Sequence, residues 1–129
     1  MDLRRHDQLV ELHQDEANAL CHSIRIYHQH LVWASSFRPL HLPEVMSIRP
    51  TQRVLERLTR LLAGPWPRTK DRRLKGRKWR LEMDELLQLN ALFVADELTA
   101  PDALKYPLYS ILGKVNKKAH NLTTHFQLY

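Results

Sequence analysis

The sequence has one cysteine, three glycines and no long apolar run in its 129 residues. Cys21 alone cannot close an internal disulfide, which sets aside disulfide-stapled secreted scaffolds and makes a reducing cytoplasm the expected compartment. Three glycines are too few for a fold built on many tight turns, so a β-rich sandwich or barrel is not expected. No apolar stretch approaches the ~18 residues of a membrane span. The opening residues, Met1-Asp2-Leu3-Arg4-Arg5-His6, lack the apolar core of a secretory signal. Familiar catalytic signatures are missing as well: no glycine-rich phosphate loop, no Gly-x-Ser-x-Gly, no His-Glu-x-x-His and no Cys-x-x-Cys. The adjacent acids Asp84-Glu85 and Asp96-Glu97 point apart on a helix and do not make paired carboxylates. No enzyme activity and no cofactor is expected.

The rest of the composition is that of a globular chain, with 43% hydrophobic and 26% charged residues. The length suits one domain spanning 1–129. The formal charge is +6, and it is unevenly placed. Residues 68–80 hold eight basic side chains (Arg68, Lys70, Arg72, Arg73, Lys75, Arg77, Lys78, Arg80) against Asp71 alone, a local balance of +7. The other 116 residues together carry −1. A run of this density repels itself and reads as a solvated basic loop, 65–81, entered through Gly64-Pro65-Trp66-Pro67.

Helical periodicity organises most of the remainder. Residues 7–34 contain no proline or glycine, and Asp7 can cap their start. Leu9, Leu12, Ala17, Leu20, Ile24, Tyr27 and Leu31 fall on one stripe of such a helix. Pro39 and Pro43 make 35–49 a connector with one helical turn from Pro43 to Met46. Pro50 suits a first helical position. A helix over 50–63 then buries Val54, Leu55, Leu58, Leu61 and Leu62, and Gly64 ends it. Residues 82–98 are apolar on much of their circumference and predict the central, most buried helix, with Glu82, Asp84 and Glu85 favouring the positive end of its dipole. A short turn opens at Thr99-Ala100-Pro101-Asp102. A last helix is expected from Pro107 to about Leu122, with Leu108, Ile111, Leu112, Val115, Ala119 and Leu122 inward. Thr123 to Tyr129 read as either a tail or a docking strand. No other period-2 strand stands out. The expectation is an all-α bundle of about four main helices with short connecting helices and one basic loop.

Three constellations carry the functional reading. With Arg49 at 0°, Arg53, Arg57 and Arg60 lie at about 40°, 80° and 20°, opposite the apolar face of the 50–63 helix. Guanidinium groups spaced this way can grip successive phosphates bidentately. Glu56 sits beside the stripe and cannot neutralise four arginines. The basic loop is flanked by Trp66 and Trp79, and cations beside aromatic rings are what sequence-tolerant single-strand binding uses. Trp66, between two prolines, suits the core; Trp79 is the candidate stacking ring. Lys114, Lys117 and Lys118 add a basic face on the last helix. The same charge would also meet an acidic protein or an anionic lipid surface.

The histidines do not suggest a metal. His13, His22, His28 and His30 point to four directions of one helix, and His13 with Glu16 reverses the Glu-x-x-His order of di-metal bundles. His120 and His125 add no ligand set. Cys21, beside Leu20, reads as a buried inert thiol.

An all-helical chain of this length resembles the small subunits of multisubunit (Cascade-like) CRISPR effector complexes. The resemblance is architectural and covers the whole chain. Its features are the Arg49, Arg53, Arg57, Arg60 stripe, segment 68–80, and Lys114, Lys117 and Lys118. It implies a non-catalytic subunit beside a guide RNA that binds the target or displaced strand through its basic surface. It also implies copies stacked on each other and on other subunits. The function expected is thus phosphate-backbone contact with RNA or single-stranded DNA inside a ribonucleoprotein assembly. The alternatives are an adaptor or inhibitor docking its basic loop on an acidic partner, and a helix-turn-helix regulator reading DNA with the 50–63 helix. The 17-residue loop after that helix argues against the regulator, because a tight turn is needed there.

Overall fold

A computed structural model describes residues 8–71 and 75–127, with side chains through residue 122. Four helices and one two-stranded ribbon occur among them, in the order β1 (Gln8–Leu12), α1 (Gln14–Ser35), α2 (Leu42–Ala63), β2 (Arg77–Leu81), α3 (Met83–Val94) and α4 (Asp102–Gln127). The helices form a square: α1 packs on α2 and α4, and α3 packs on the same two. No helix is central. The expectation that the 82–98 helix is the most buried one fails, because Leu87 and Val94 on α3 face solvent. Leu20, Ile24, Val54, Leu58, Leu86, Leu89, Ile111 and Leu112 meet in one apolar cluster, which the inward residues of both strands continue.

The ribbon is the main departure from an all-helical reading. Gln8 to Leu12 is a strand, not the first turns of a helix, and Asp7 lies outside the described residues. The strand pairs antiparallel with residues 77–81, with Val10 opposite Trp79 and Leu12 opposite Arg77. Both strands alternate: Val10, Leu12, Trp79 and Leu81 are buried, while Leu9, Glu11, Lys78 and Arg80 are exposed. Two half-apolar pentapeptides far apart in sequence satisfy each other's backbone groups here. The last third of the expected loop is therefore strand.

Helix starts share one device. The third helical residue of α1, α2 and α3 is Glu16, Glu44 or Glu85, and its carboxylate accepts the backbone N–H of the residue before the helix: His13 at 2.9 Å, His41 at 2.8 Å and Glu82 at 2.9 Å. Each carboxylate completes half of a capping box and sits at the positive dipole end. This device starts α2 at Leu42, eight residues before Pro50. Arg38 holds Glu44 with two bonds, at 2.9 and 3.0 Å. The expected connector over 35–49 thus shrinks to a short turn, and Pro50 lies inside α2. Pro107 likewise lies inside α4. Each proline deprives the carbonyl four residues back, that of Met46 or Ala103, and both residues are exposed, so water can take the bond.

α3 stops at Val94, earlier than expected. Asp96 adopts φ 57°. Its N–H reaches the Phe93 carbonyl at 3.0 Å, and that of Glu97 reaches Leu92 at 2.9 Å. This is a Schellman stop in which aspartate occupies the left-handed position usually held by glycine. α4 continues through Gln127, so the segment from Thr123 is helix as far as it is described; residues 128 and 129 lie outside.

Candidate nucleic-acid interface

The expected arginine stripe divides in two. Arg53 and Arg57 turn toward the start of α3. Arg57 donates to Glu85 at 2.7 Å, and that carboxylate is 0% exposed. Arg53 hydrogen-bonds Asp84 and lies 3.4 Å from Glu85 and 3.7 Å from Glu82. The Asp84 bond, outweighing partial burial, raises the Arg53 guanidinium above its ordinary value. These two side chains secure α2 to α3, and their place in a free phosphate-binding face is corrected: the acids of α3 engage both. Arg49 and Arg60 remain exposed, and neither forms an ion pair among the described residues.

Lys114 is the second correction. It reaches back to α1, donating to Glu16 at 3.0 Å and to the Glu11 carbonyl at 2.9 Å. Burial opposes ionisation of Glu16. The Ser110 hydroxyl, the His13 N–H and Lys114 outweigh it and hold the carboxyl below its usual range. Lys117 is exposed and Lys118 half-buried on the same helix.

Trp79 is the third. Its side chain is only 5% exposed, packed in the core with the Arg57 guanidinium 6.0 Å from its ring centroid. It cannot stack on a base from there. Trp66 is buried as expected, and its indole N–H donates to the Lys75 carbonyl at 2.9 Å. The Lys75 N–H returns to Pro67 at 2.9 Å. These two bonds close a neck, so the basic segment springs from a fixed base.

What remains cationic and open gathers on that base and on β2. Lys78 and Arg80 point outward from one strand, about 6.8 Å apart. Arg60, at the end of α2, shares a cleft of about 560 Å³ with Arg80, Arg57 and Glu82. On the other side, Lys75, Arg77 and Lys78 line a second concavity of about 630 Å³ with Glu11. The Arg77 guanidinium covers the Trp66 ring at 5.3 Å. Arg68 and Lys70 are exposed next to the neck. Arg72 and Arg73 lie outside the described residues. Arg49 stands apart, about 16 Å along α2 from Arg60.

Beneath this surface, the buried side-chain polar atoms without a hydrogen-bond partner among the described residues are Arg57 Nε, Trp79 Nε1 and Glu85 Oε2. All three belong to the junction of α2, β2 and α3. The glutamates that engage the basic residues, Glu16 and Glu85, escape a reading of spacing. Their one sequence signal is the acid at the third position of a helix.

The histidines disperse. His28 Nε2 lies 2.7 Å from the Thr51 hydroxyl, which is also within hydrogen-bond reach of the Ser47 carbonyl at 2.7 Å. Among the described residues no three His, Cys, Asp or Glu side chains gather as metal ligands, and no helix is long and apolar enough to cross a membrane. Cys21 is buried, its Sγ 3.9 Å from the Thr59 hydroxyl. Comparison of the chain with protein families, with curated proteins and with solved structures returned no match.

Proposed function

We propose that this chain is a non-catalytic helical subunit that contacts the phosphate backbone of RNA or single-stranded DNA within a larger assembly. By resemblance it suits a small subunit of a Cascade-like CRISPR effector. The observation that carries the reading is the concentration of exposed cations at one end of the bundle: Arg60, Lys70, Lys75, Lys78 and Arg80. Lys78 and Arg80 alternate along an extended strand, a repeat that suits successive phosphates of an extended chain. With both flanking tryptophans buried, neither ring stacks on a base, which supports contact through the phosphates.

The test is a titration of labelled single strands. Four phosphate contacts would weaken binding about 50-fold when salt rises from 50 mM to 200 mM. Lys78→Glu with Arg80→Glu should abolish binding at low salt, while Arg49→Glu, outside the ribbon, should leave most of it. No binding at low salt, or equal loss from Arg49→Glu, refutes the reading. The burial of Trp79 favours a second reading, an adaptor that docks the same ribbon on an acidic protein, since no open ring accompanies the cations. A salt-dependent complex with an acidic protein and none with nucleic acid would select it.

A further inference from the structure

The opposite end of the bundle has a different character. α1 and α2 meet there in a corner, and within residues 32–48 seven large apolar side chains are exposed: Val32, Trp33, Phe37, Leu42, Val45, Met46 and Ile48. Phe37 is 73% exposed and Trp33 64%, and their ring centroids are 4.9 Å apart. Together they present on the order of 800 Å² of accessible surface, against about 800 Å² per partner in a standard interface and ~300–600 Å² for the largest apolar patch of an ordinary monomer. Beside them, Leu31, Val32, Leu40 and Ile48 line an apolar groove of about 260 Å³ between the two helices.

We infer that this corner is a self-association surface, through which two copies of the chain meet about a two-fold axis. The area matches one side of such a dimer. An isologous contact presents the patch to itself, so it must supply both an anchor and a seat. Here the Trp33–Phe37 pair is the aromatic anchor, and the groove is the seat for its counterpart. Asp96 and Glu97 line one concavity with Trp33, so each copy brings acids to the rim of the contact. Arg38 is held by Glu44, and Lys105 by Asp102 at 2.9 Å. The exposed Lys78 and Arg80 of β2 lie toward the far end of helices about 33 Å long, so contact through the corner keeps the two ribbons more than about 33 Å apart. That spacing is several Debye lengths at physiological salt.

This inference is independent of the phosphate-contact reading, and its test uses no nucleic acid. Sedimentation equilibrium of the full chain should give a species of twice 15.3 kDa. Phe37→Asp and Met46→Asp, both at exposed positions, should each weaken self-association at least tenfold and leave the circular dichroism spectrum intact. Trp33 fluorescence should shift to the red on dilution of the wild type, as its ring returns to water. Lys78→Glu/Arg80→Glu should leave the dimer unchanged. A wild type that is monomeric up to its solubility limit overturns the inference and leaves the corner to a different protein. So does a dimer that the two aspartate variants leave intact, or one that the ribbon variant disperses.

Discussion

Removing the Arg57 side chain tests most directly whether the arginines of α2 face solvent or hold the bundle together. Arg57→Ala would leave Glu85, which is 0% exposed, with the Glu82 N–H at 2.9 Å and the Arg53 Nε at 3.4 Å. Breaking a fully buried pair from one side costs about 3–5 kcal/mol. Arg57 is 32% exposed, and its Nε lacks a partner, so the pair is imperfect and partly screened. About 2 kcal/mol is therefore expected, or roughly 8 °C in Tm for a chain of this size. Arg60→Ala, one turn further on and exposed, should change stability by less than about 0.5 kcal/mol. Chemical denaturation followed by far-ultraviolet circular dichroism measures both. Adding Glu85→Gln to Arg57→Ala should restore part of the loss, because a neutral amide still accepts from Glu82 and no longer buries a charge. If Arg57→Ala and Arg60→Ala are equally mild, the arginines form one solvated face and the division of the stripe is wrong.

Acid should destabilise the protein in two stages. Burial pushes the His28 imidazole below its ordinary 6.5, so under that pH the unfolded chain takes up the proton first and stability falls. Arg38, then the His41 N–H, holds the Glu44 carboxyl at about 2, so its contribution is complete above 4.5 and disappears between 4.5 and about 2. His28→Gln should flatten the first limb, and Glu44→Gln part of the second, which Glu16 shares, in a pH series of melts; unchanged profiles would contradict both assignments. Gly113→Ala should stabilise by about 0.5–1 kcal/mol, because the position is exposed within α4 and nothing lies within 4 Å of the added carbon. Trp79→Phe should leave affinity for single strands unchanged, since the ring lies beneath the ribbon; a large loss would mean that it reaches the strand.

Much of the fold was legible. The apolar faces of α1, α2 and α4 follow from spacing alone, and Val54, Leu58, Ile111 and Leu112 are buried as the periodicity predicts. The ribbon was not legible, because Leu9 and Leu12 also fit a helical stripe. The deciding partner, Trp79 with Leu81, lies about seventy residues away, inside a segment whose charge suggests a loop. Pro50 and Pro107 imitate helix starts in the sequence, yet each lies inside a helix because the orphaned carbonyl belongs to an exposed residue. The end of α3 escaped because Asp96 takes a conformation normally signalled by glycine. For the candidate interface, spacing could place Arg53, Arg57 and Lys114 on outward arcs but could not see the acids that neighbouring elements bring to them. Lys78, Arg80 and Arg60 stay open because no carboxylate of another helix start reaches them.

The glutamates at the helix starts have a consequence for biosynthesis. Glu16 takes its charge into the interior near the beginning of the chain, yet Ser110, which donates a hydrogen bond to it, and Lys114, which pairs with it, are translated almost last. Strand β1 likewise waits for residues 77–81. The amino-terminal half alone therefore lacks the contacts that hold Glu16 and β1 in the folded chain. Truncation before residue 114 removes the partners of α1 and α3 on α4 and should leave no smaller folded unit, which limited proteolysis of the truncated chain would check.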